Sequence, residues 1–164
     1  MKPPLNTKYR SDFQTPPEAL EPLYPYLKKK WFIWEPACGK GNLVNALAAR
    51  GFDVEGTDIV DGFDFMKGLL YGFDCIITNP PYARKQEFLE RCYHFGKPFA
   101  LLLPLTIFET RKRQDLFEKY GVEVIFMPKR VNFETPSGRG GGSWFATAWI
   151  THGLNIGKTL TFSK

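Results

Sequence analysis

The decisive stretch of the sequence is WFIWEPACGKG, residues 31–41. Its first four residues are apolar and predict a buried strand, and the loop from Glu35 to Gly41 carries a Gly-x-Gly pair. Residues 42–50 then have the composition of a helix. In open α/β sheets, a strand, a glycine loop and a helix in this order bring the backbone close to a bound cofactor. The glycine pair alone is a weak signal, because ordinary tight turns also use glycine.

Two acidic residues extend this pattern. A second strand is predicted over Val54 to Asp58, and Asp58 lies 17 residues after Gly41. That spacing is close to the roughly 20 residues expected before an acid that binds ribose hydroxyls. Asp64 stands directly before Phe65 in another short loop. A strand-ending acid or a helix cap would explain each residue alone, but the order of these features favours a cofactor site.

A second motif, Thr78-Asn79-Pro80-Pro81-Tyr82, follows the strand-like run Cys75-Ile76-Ile77. The side-chain oxygen of Asn79 is a hydrogen-bond acceptor, and the carbonyl of Pro80 is another with no proline N–H competing nearby. Two acceptors directed at one planar amino group would draw its lone pair out of conjugation and toward an electrophile. The ring of Tyr82 is suited to stacking on the ring that carries the amine. The alternative is a Pro-Pro turn in which Asn79 is a local cap.

Alternating strands and helices predict one α/β domain, residues 1–164, whose mostly parallel sheet has helices on both faces. Strands are expected at Phe32–Glu35, Val54–Asp58, Cys75–Thr78, Phe99–Leu103, Val122–Phe126 and Phe145–Ile150, with a poorly marked one near Phe63–Phe65. Helices are expected at Asn42–Arg50, Gln86–Phe95 and Arg113–Tyr120, and another is expected to begin at Pro16 with Thr15 as its N-cap. A loose arm is expected at 1–10 and a flexible loop at 130–143.

Together the motifs resemble those of the amino-methyltransferases that use S-adenosylmethionine, most closely the DNA adenine-N6 methyltransferases with an Asn-Pro-Pro-Tyr motif. The resemblance runs from about Phe13 to Ile150. It implies a Rossmann-like class I methyltransferase fold, with a mostly parallel seven-stranded sheet whose last strand is antiparallel. It also implies methyl transfer to the N6 amine of adenine in DNA, with the target base flipped out of the duplex.

The resemblance assigns roles to residues of both motifs. Asn79, Pro80, Pro81 and Tyr82 would form the catalytic loop, and Tyr82 and Phe133 would stack on the target base. The cofactor site would comprise Thr15, Glu35, Pro36, Ala37, Cys38, Gly39, Gly41, Asp58, Asp64, Phe65 and Asn79. Asp58 would hold the ribose, Asp64-Phe65 the adenine, and Glu35 with Thr15 the methionine end. A metal ion is not expected, because His94 and His152 lack partners at ligand spacing.

One departure from the family concerns target recognition. Related enzymes with this motif order usually carry a recognition domain after the catalytic one, whereas only residues 151–164 follow here. We therefore expect no sequence preference, a very short recognition site, or recognition through a partner subunit or an oligomer.

Other planar amines are alternative substrates. The same chemistry serves adenine N6 or guanine N2 in RNA and the glutamine amide in proteins, although glutamine methyltransferases of this kind typically carry an extra N-terminal helical domain. A non-catalytic subunit of a heteromeric methyltransferase is a further alternative, which the intact motifs disfavour.

Composition and charge set weaker limits. The formal net charge is +5 and the pI about 9.1, which fits a polyanionic partner such as DNA. An odd count of 3 cysteines without CxxC spacing indicates a reducing compartment. Because neither a membrane span nor a signal peptide is evident, we expect a cytoplasmic protein.

Two basic features have open interpretations. Arg139 lies in the glycine-rich stretch 137–143, which is either a long hairpin loop or a flap that orders on nucleic acid. Arg111-Lys112-Arg113 is more often an exposed helix start than a phosphate-binding patch.

Overall fold

The computed structural model of the protein describes residues 13–135, 138–139, 145–157 and 160–162. The helices in these ranges are α1 (Asn42–Ala49), α2 (Lys85–Phe95) and α3 (Arg111–Tyr120). The strands are β1 (Phe32–Glu35), β2 (Asp53–Gly56), β3 (Cys75–Thr78), β4 (Phe99–Pro104), β5 (Glu123–Phe126), β6 (Glu134–Thr135), β7 (Gly138–Arg139), β8 (Thr147–His152) and β9 (Leu160–Phe162).

Seven of the strands form one sheet in the order β2-β1-β3-β4-β8-β5-β9, and β6 pairs with β7 in a separate ribbon. β8 is antiparallel to both of its neighbours, and the remaining pairs in the sheet are parallel. The predicted Rossmann-like, mostly parallel seven-stranded sheet is therefore confirmed. The antiparallel strand is not the last one, because β9 follows it along the chain and pairs in parallel with β5.

The sheet is buried on both faces, as expected for a sheet covered by crossover helices. Alternate side chains of the central strands enter two separate cores. The first core contains Ile33, Ile77, Leu102 and Trp149 and is covered by α1 and by the short helical turns of residues 17–26. The second contains Trp34, Ile76, Leu101 and Ile150 and is covered by α2 and α3. β4 lies in the middle, and every residue from Phe99 to Leu103 has 0% exposure.

The expected strand near Phe63–Phe65 is wrong. Residues 63–65, which lie within the described ranges, belong to a turn in which Asp64 Oδ1 accepts the N–H of Met66 at 2.9 Å. Phe65 instead packs into the second core against Trp34, with ring centroids 5.2 Å apart. Seven strands result nonetheless, because β9 extends the sheet at its other edge.

The chain before β1 also differs from the expectation. The predicted helix is two 3₁₀ turns, Pro17–Leu20 and Tyr24–Tyr26, and Pro16 rather than Thr15 is the N-cap of the first. Gln14 pairs with Glu134 through two backbone hydrogen bonds of 2.9 Å each, so this segment is tied to the chain after β5.

The whole of the expected arm, 1–10, and residues 136–137 and 140–143 of the expected loop lie outside the described residues. Within the described part of 130–143, Val131 and Phe133 are buried in the first core. Among the described residues, no helix is long and apolar enough to cross a bilayer.

Candidate active site

The order of the strands reverses between β1 and β3. From β1 the chain proceeds outward to β2, and from β3 it proceeds in the opposite direction to β4. The loops at the carboxyl ends of β1, β2 and β3 therefore meet at one edge of the sheet, which is where open α/β sheets bind ligands. Both sequence motifs occupy this point.

The glycine loop after β1 is held by its own backbone amides. Ala37 N–H donates to Glu35 Oε1 at 3.1 Å, and Cys38 N–H donates to the Thr57 carbonyl at 3.1 Å. Gly41 N–H donates back to the Cys38 carbonyl at 2.8 Å. These bonds shape the loop and commit its N–H groups within the protein.

The two remaining N–H groups of the loop go to side chains from distant segments. Gly39 N–H donates to Asp58 Oδ2 at 2.8 Å, and Lys40 N–H donates to Gln14 Oε1 at 2.9 Å. Gln14 lies directly over the loop, because a Cβ at Gly39 would come within 2.7 Å of its Oε1. A ligand that accepts a hydrogen bond from Lys40 N–H must therefore displace the Gln14 amide.

Asp58 links the first two strand ends. It lies two residues beyond β2, and its Oδ1 accepts the N–H of Val60 at 3.0 Å while Oδ2 accepts that of Gly39. The residue is buried, with 9% exposure, yet each carboxylate oxygen keeps further acceptor capacity. The acid predicted to bind ribose is thus rigidly placed beside the glycine loop.

Asp64 and Phe65 have different surroundings. Besides accepting the Met66 N–H, Asp64 Oδ1 lies 4.0 Å from a guanidinium nitrogen of Arg84, which follows the second motif. Phe65 is 3% exposed and its ring stacks on Phe88, with centroids 4.7 Å apart. Its ring therefore supports the loop from the core side, and Asp64 presents the polar group of the pair.

Asn79 is directly attached to β3 and is the most informative side chain of the site. Its Nδ2 donates to Thr15 Oγ1 at 2.8 Å. Its Oδ1 is buried and has no hydrogen-bond partner among the described residues. Pro80 is buried beside it, Pro81 is exposed, and Tyr82 opens a 3₁₀ turn that leads into α2.

Unpaired polar atoms concentrate around this motif. Within the described residues, buried side-chain polar atoms without a partner belong to Thr78, Asn79, Tyr82, Thr147 and Arg91. Thr78 is the last residue of β3, Asn79 follows it directly, and Tyr82 begins the 3₁₀ turn after the motif. Thr147 pairs with Pro104 at the same end of the sheet. Because buried polar atoms in proteins are nearly always hydrogen-bonded, the unpaired atoms of Asn79, Tyr82 and Thr147 are candidates to bind a polar ligand, whereas the Thr78 hydroxyl acts on the Glu35 carboxyl.

The aromatic surroundings of Tyr82 differ from those that the resemblance implies. Its ring meets that of Phe145, which is 38% exposed. Phe133, the implied second wall of the base site, is 6% exposed and contacts Phe13 edge-on at 6.4 Å. Sequence reasoning missed Phe145, which stands at the start of the predicted last strand and shows no motif.

Burial controls the acid–base behaviour of the loop. Desolvation raises the pKa of Glu35 to about 8, and the Thr78 hydroxyl and the Ala37 N–H offset only part of this effect. The Thr78 hydroxyl faces the carboxyl without completing a hydrogen bond of normal geometry. Burial also raises the pKa of Cys38 to about 11, helped by the Glu35 and Asp58 carboxylates. Cys38 is therefore a thiol at neutral pH and is unsuited to act as a nucleophile.

Two further side chains near the site, Ile59 and Gln14, were not among the site residues predicted from the sequence. Ile59 directly follows Asp58 and is 60% exposed, which places apolar surface beside the acid. Gln14 covers the glycine loop. The sequence shows an isoleucine directly after a strand-ending acid, but the exposure of Ile59 is known only from the structure. The position of Gln14 depends on its long-range pairing with Glu134.

The basic cluster at the start of α3 is paired internally. Arg111 contacts Asp115 at 2.8 Å, and Lys112 contacts Glu90 at 2.7 Å. Arg113 is 8% exposed and donates to the Ile107 carbonyl at 2.6 Å. This pairing favours the interpretation as a helix start over a phosphate-binding patch.

Solved structures with the same fold include proteins from three organisms. The methyltransferase subunit of a type I restriction-modification system from Streptococcus thermophilus is 17% identical, with a TM-score of 0.59 over 92% of this chain. A protein described as a modification subunit of a type I restriction enzyme from Vibrio vulnificus is 14% identical, with a TM-score of 0.55 over 90%. A dimethyladenosine transferase from Plasmodium falciparum is 15% identical, with a TM-score of 0.54 over 84%.

These likenesses establish the fold alone, because the sequence identities are too low to carry a function over to this chain. The chain spans 47% and 45% of the lengths of the two restriction-modification proteins and 62% of that of the transferase. No protein-family model and no curated protein sequence matches the chain.

Proposed function

We propose that the protein is an S-adenosylmethionine-dependent methyltransferase that acts on the exocyclic N6 amine of adenine in DNA. The observation that carries this proposal is the buried, unpartnered Oδ1 of Asn79 at the switch point of a methyltransferase-like sheet. A planar amine that donates a hydrogen bond to Oδ1 would satisfy that atom. The fold neighbours support the reaction class, because they are a methyltransferase subunit, a modification subunit and a dimethyladenosine transferase.

The residues at the edge of the sheet fit the proposed cofactor. Asp58 would accept hydrogen bonds from the ribose hydroxyls, for which its rigid placement beside Gly39 is suitable. The exposed face of Ile59 would contact the adenine ring, and Asp64 would accept from the adenine amine. Pro36, Ala37, Cys38 and Gly41 would shape the floor, while Glu35 and Thr15 would support the methionine end. When bound, S-adenosylmethionine supplies an electrophilic methyl group.

The catalytic contribution of the chain is alignment of the amine. Asn79 Oδ1 and the Pro80 carbonyl would each accept one N–H of the target amine, which directs its lone pair out of the ring plane. A strong base is not required, because the nitrogen becomes acidic as its new bond forms and its proton can leave afterwards. Holding the reacting atoms in this geometry is the main source of rate enhancement.

A base in a duplex must leave the stack to enter such a site. Tyr82 would form one aromatic wall for the flipped base, with Pro81 exposed beside it. Phe133, from the family resemblance, and Phe145, from its contact with Tyr82, are the candidates for the second wall. Stacking of this kind contributes about 1–3 kcal/mol per base.

RNA is the second candidate substrate. The likeness to a dimethyladenosine transferase favours it, because adenosine is a ribonucleoside. The site offers the same acceptors to adenine in either polymer, and the fold alone does not distinguish them.

The test is methyl transfer from labelled S-adenosylmethionine to unmethylated duplex DNA and, in parallel, to unmodified RNA, followed by nucleoside mass spectrometry. We expect N6-methyladenine in DNA, lost in Asn79→Ala although that variant still binds the cofactor. Methylated adenosine in RNA alone would transfer the proposal to RNA. Cofactor binding without product on either polymer would contradict both and favour a protein amide or a non-catalytic subunit.

A further inference from the structure

The hydroxyl of Thr15 and the amide of Asn79 are joined by a hydrogen bond that spans 64 positions of the sequence. Asn79 Nδ2 donates to Thr15 Oγ1 at 2.8 Å, and Thr15 is 5% exposed. The opposite end of the same amide, Oδ1, is buried and unpartnered among the described residues. The bond therefore commits the NH2 end of the amide and leaves its acceptor end available.

This division matters because the two ends of an asparagine amide have similar shapes and opposite hydrogen-bonding properties. An amine substrate needs an acceptor, so an amide that presented its NH2 group would repel the substrate. An amide free to rotate about its last torsion angle would also spend part of its time with Oδ1 directed elsewhere, because that torsion is soft.

We propose that Thr15 is a positioning residue for Asn79, which holds Nδ2 so that Oδ1 faces the substrate amine. This inference rests on the proposed function and changes the role of Thr15. The family resemblance places Thr15 at the methionine end of the cofactor, whereas its observed contact is with the catalytic amide.

Thr15 is well supported for this task. Its carbonyl accepts a hydrogen bond from Asn42 Nδ2 at 3.3 Å, at the start of α1. The preceding residue, Gln14, is fixed by its two backbone bonds to Glu134 and by its side-chain bond to Lys40. The hydroxyl is thus carried by a segment tied to three other parts of the fold.

The first experiment compares Thr15→Val, which keeps the shape but removes the acceptor, with Thr15→Ser, which keeps the hydroxyl. We expect Thr15→Val to lower kcat about tenfold with the Kd for S-adenosylmethionine changed less than twofold, because alignment and not cofactor binding is lost. Thr15→Ser should retain most of the turnover. A raised Kd with unchanged kcat would overturn the proposal and return Thr15 to the cofactor.

The matched control is Thr151→Val. Thr151 is 0% exposed and its hydroxyl donates to the Glu123 carbonyl at 3.3 Å, near the opposite end of β8 from Thr147. This substitution removes a buried hydroxyl and its hydrogen bond away from the site. It should leave kcat unchanged, so an equal loss in both variants would contradict positioning.

A second readout does not depend on activity. In protein labelled at asparagine side chains, the Asn79 NH2 group should exchange with solvent at least tenfold faster in Thr15→Val than in the wild type or Thr15→Ser. Unchanged exchange would overturn the inference even if turnover fell. Conversely, a wild-type protein that transfers no methyl group would defeat the proposed function, while the exchange measurement would still report on the contact.

Discussion

The ring of Phe145 meets the ring of Tyr82 edge-on, with their centroids 5.5 Å apart and their planes at 74°. Tyr82 belongs to the Asn-Pro-Pro-Tyr motif, and burial raises the pKa of its hydroxyl above the usual value, so that it stays protonated. Phe145 precedes β8, whose first residue pairs with the end of β4. The contact thus brings together a residue of the motif and one from near the end of the described chain.

This contact makes Phe145 a candidate for the second aromatic wall of the proposed base site. We predict that Phe145→Leu raises the Kd for DNA by about tenfold, because aromatic stacking on a base is worth about 1–3 kcal/mol. Binding is measured by fluorescence anisotropy with a labelled oligonucleotide in the presence of a non-reactive cofactor analogue. Folding stability should change little, since Phe145 is 38% exposed.

The counterpart is Phe133→Leu, which tests the wall that the family resemblance implies. Because Phe133 is 6% exposed in the first core, this change should lower the free energy of unfolding by about 1–3 kcal/mol without a comparable effect on DNA binding. If Phe133→Leu weakens DNA binding and Phe145→Leu does not, the second wall is Phe133.

The carboxylate of Asp58 gives a second prediction, because it serves the glycine loop and the proposed ribose site together. Asp58→Asn places an NH2 group against the N–H of either Gly39 or Val60, and so leaves a buried donor without an acceptor. We expect a loss of about 1–3 kcal/mol in unfolding free energy and at least a tenfold higher Kd for S-adenosylmethionine by calorimetry.

Asp61→Asn is the control for that experiment. Asp61 is exposed in the same turn, and the substitution removes the same formal charge. Equal increases in Kd for both variants would mean that charge near the loop, and not the hydrogen bonds of Asp58, governs binding.

A third prediction concerns the close approach of Gln14 to the glycine loop. Gly39 has a φ of 52° and Gly41 a φ of 85°. Alanine at either position would have to adopt a left-handed backbone conformation, which costs about 1–2 kcal/mol. Only at Gly39 would the new methyl group also meet Gln14, at 2.7 Å, whereas the nearest atom at Gly41 is 3.8 Å away. Because the Gln14 amide ends a flexible side chain, it should move and lose its bond to Lys40.

We therefore expect Gly39→Ala to be less stable than Gly41→Ala by about 1 kcal/mol, the usual worth of one hydrogen bond. Urea unfolding measures this difference. In the Gln14→Ala background the difference between the two glycine substitutions should vanish, and a difference that persists would show that Gln14 is not the cause.

Sequence reasoning succeeded where one local signal sufficed. β1, β3 and the core of β4 were predicted at or near their observed bounds because they are short, continuous apolar runs whose side chains are buried on both faces. The meeting of the two motifs at one edge followed from the rule that ligands bind at the carboxyl ends of parallel strands.

It failed where a distant partner decides the structure. Phe63 and Phe65 alternate with Asp64 as in a strand, but Trp34 offers both rings an aromatic core to enter. β9 pairs in parallel with β5 across a long crossover. Likewise, the bond of Thr15 to Asn79 joins segments with no shared pattern, so the sequence marked both residues but not their contact.

The last prediction follows from the buried carboxyl of Glu35. Desolvation raises its pKa to about 8, from an ordinary value of 4.5 in the unfolded chain. Between these values the folded protein holds a proton that the unfolded chain has released. The contribution of Glu35 to the free energy of unfolding is therefore fully present below about pH 4.5 and is lost as the pH rises toward 8.

The matching variant is Glu35→Gln, which keeps an oxygen to accept the Ala37 N–H but cannot ionise. We expect the wild type to lose stability relative to Glu35→Gln as the pH is raised from 5 to 8, measured by urea unfolding at each pH. Above pH 8 the difference should level off, because both folded and unfolded states then carry the charge. A difference that is constant across this range would mean that Glu35 ionises normally in the folded protein, and that its burial does not disfavour the charge.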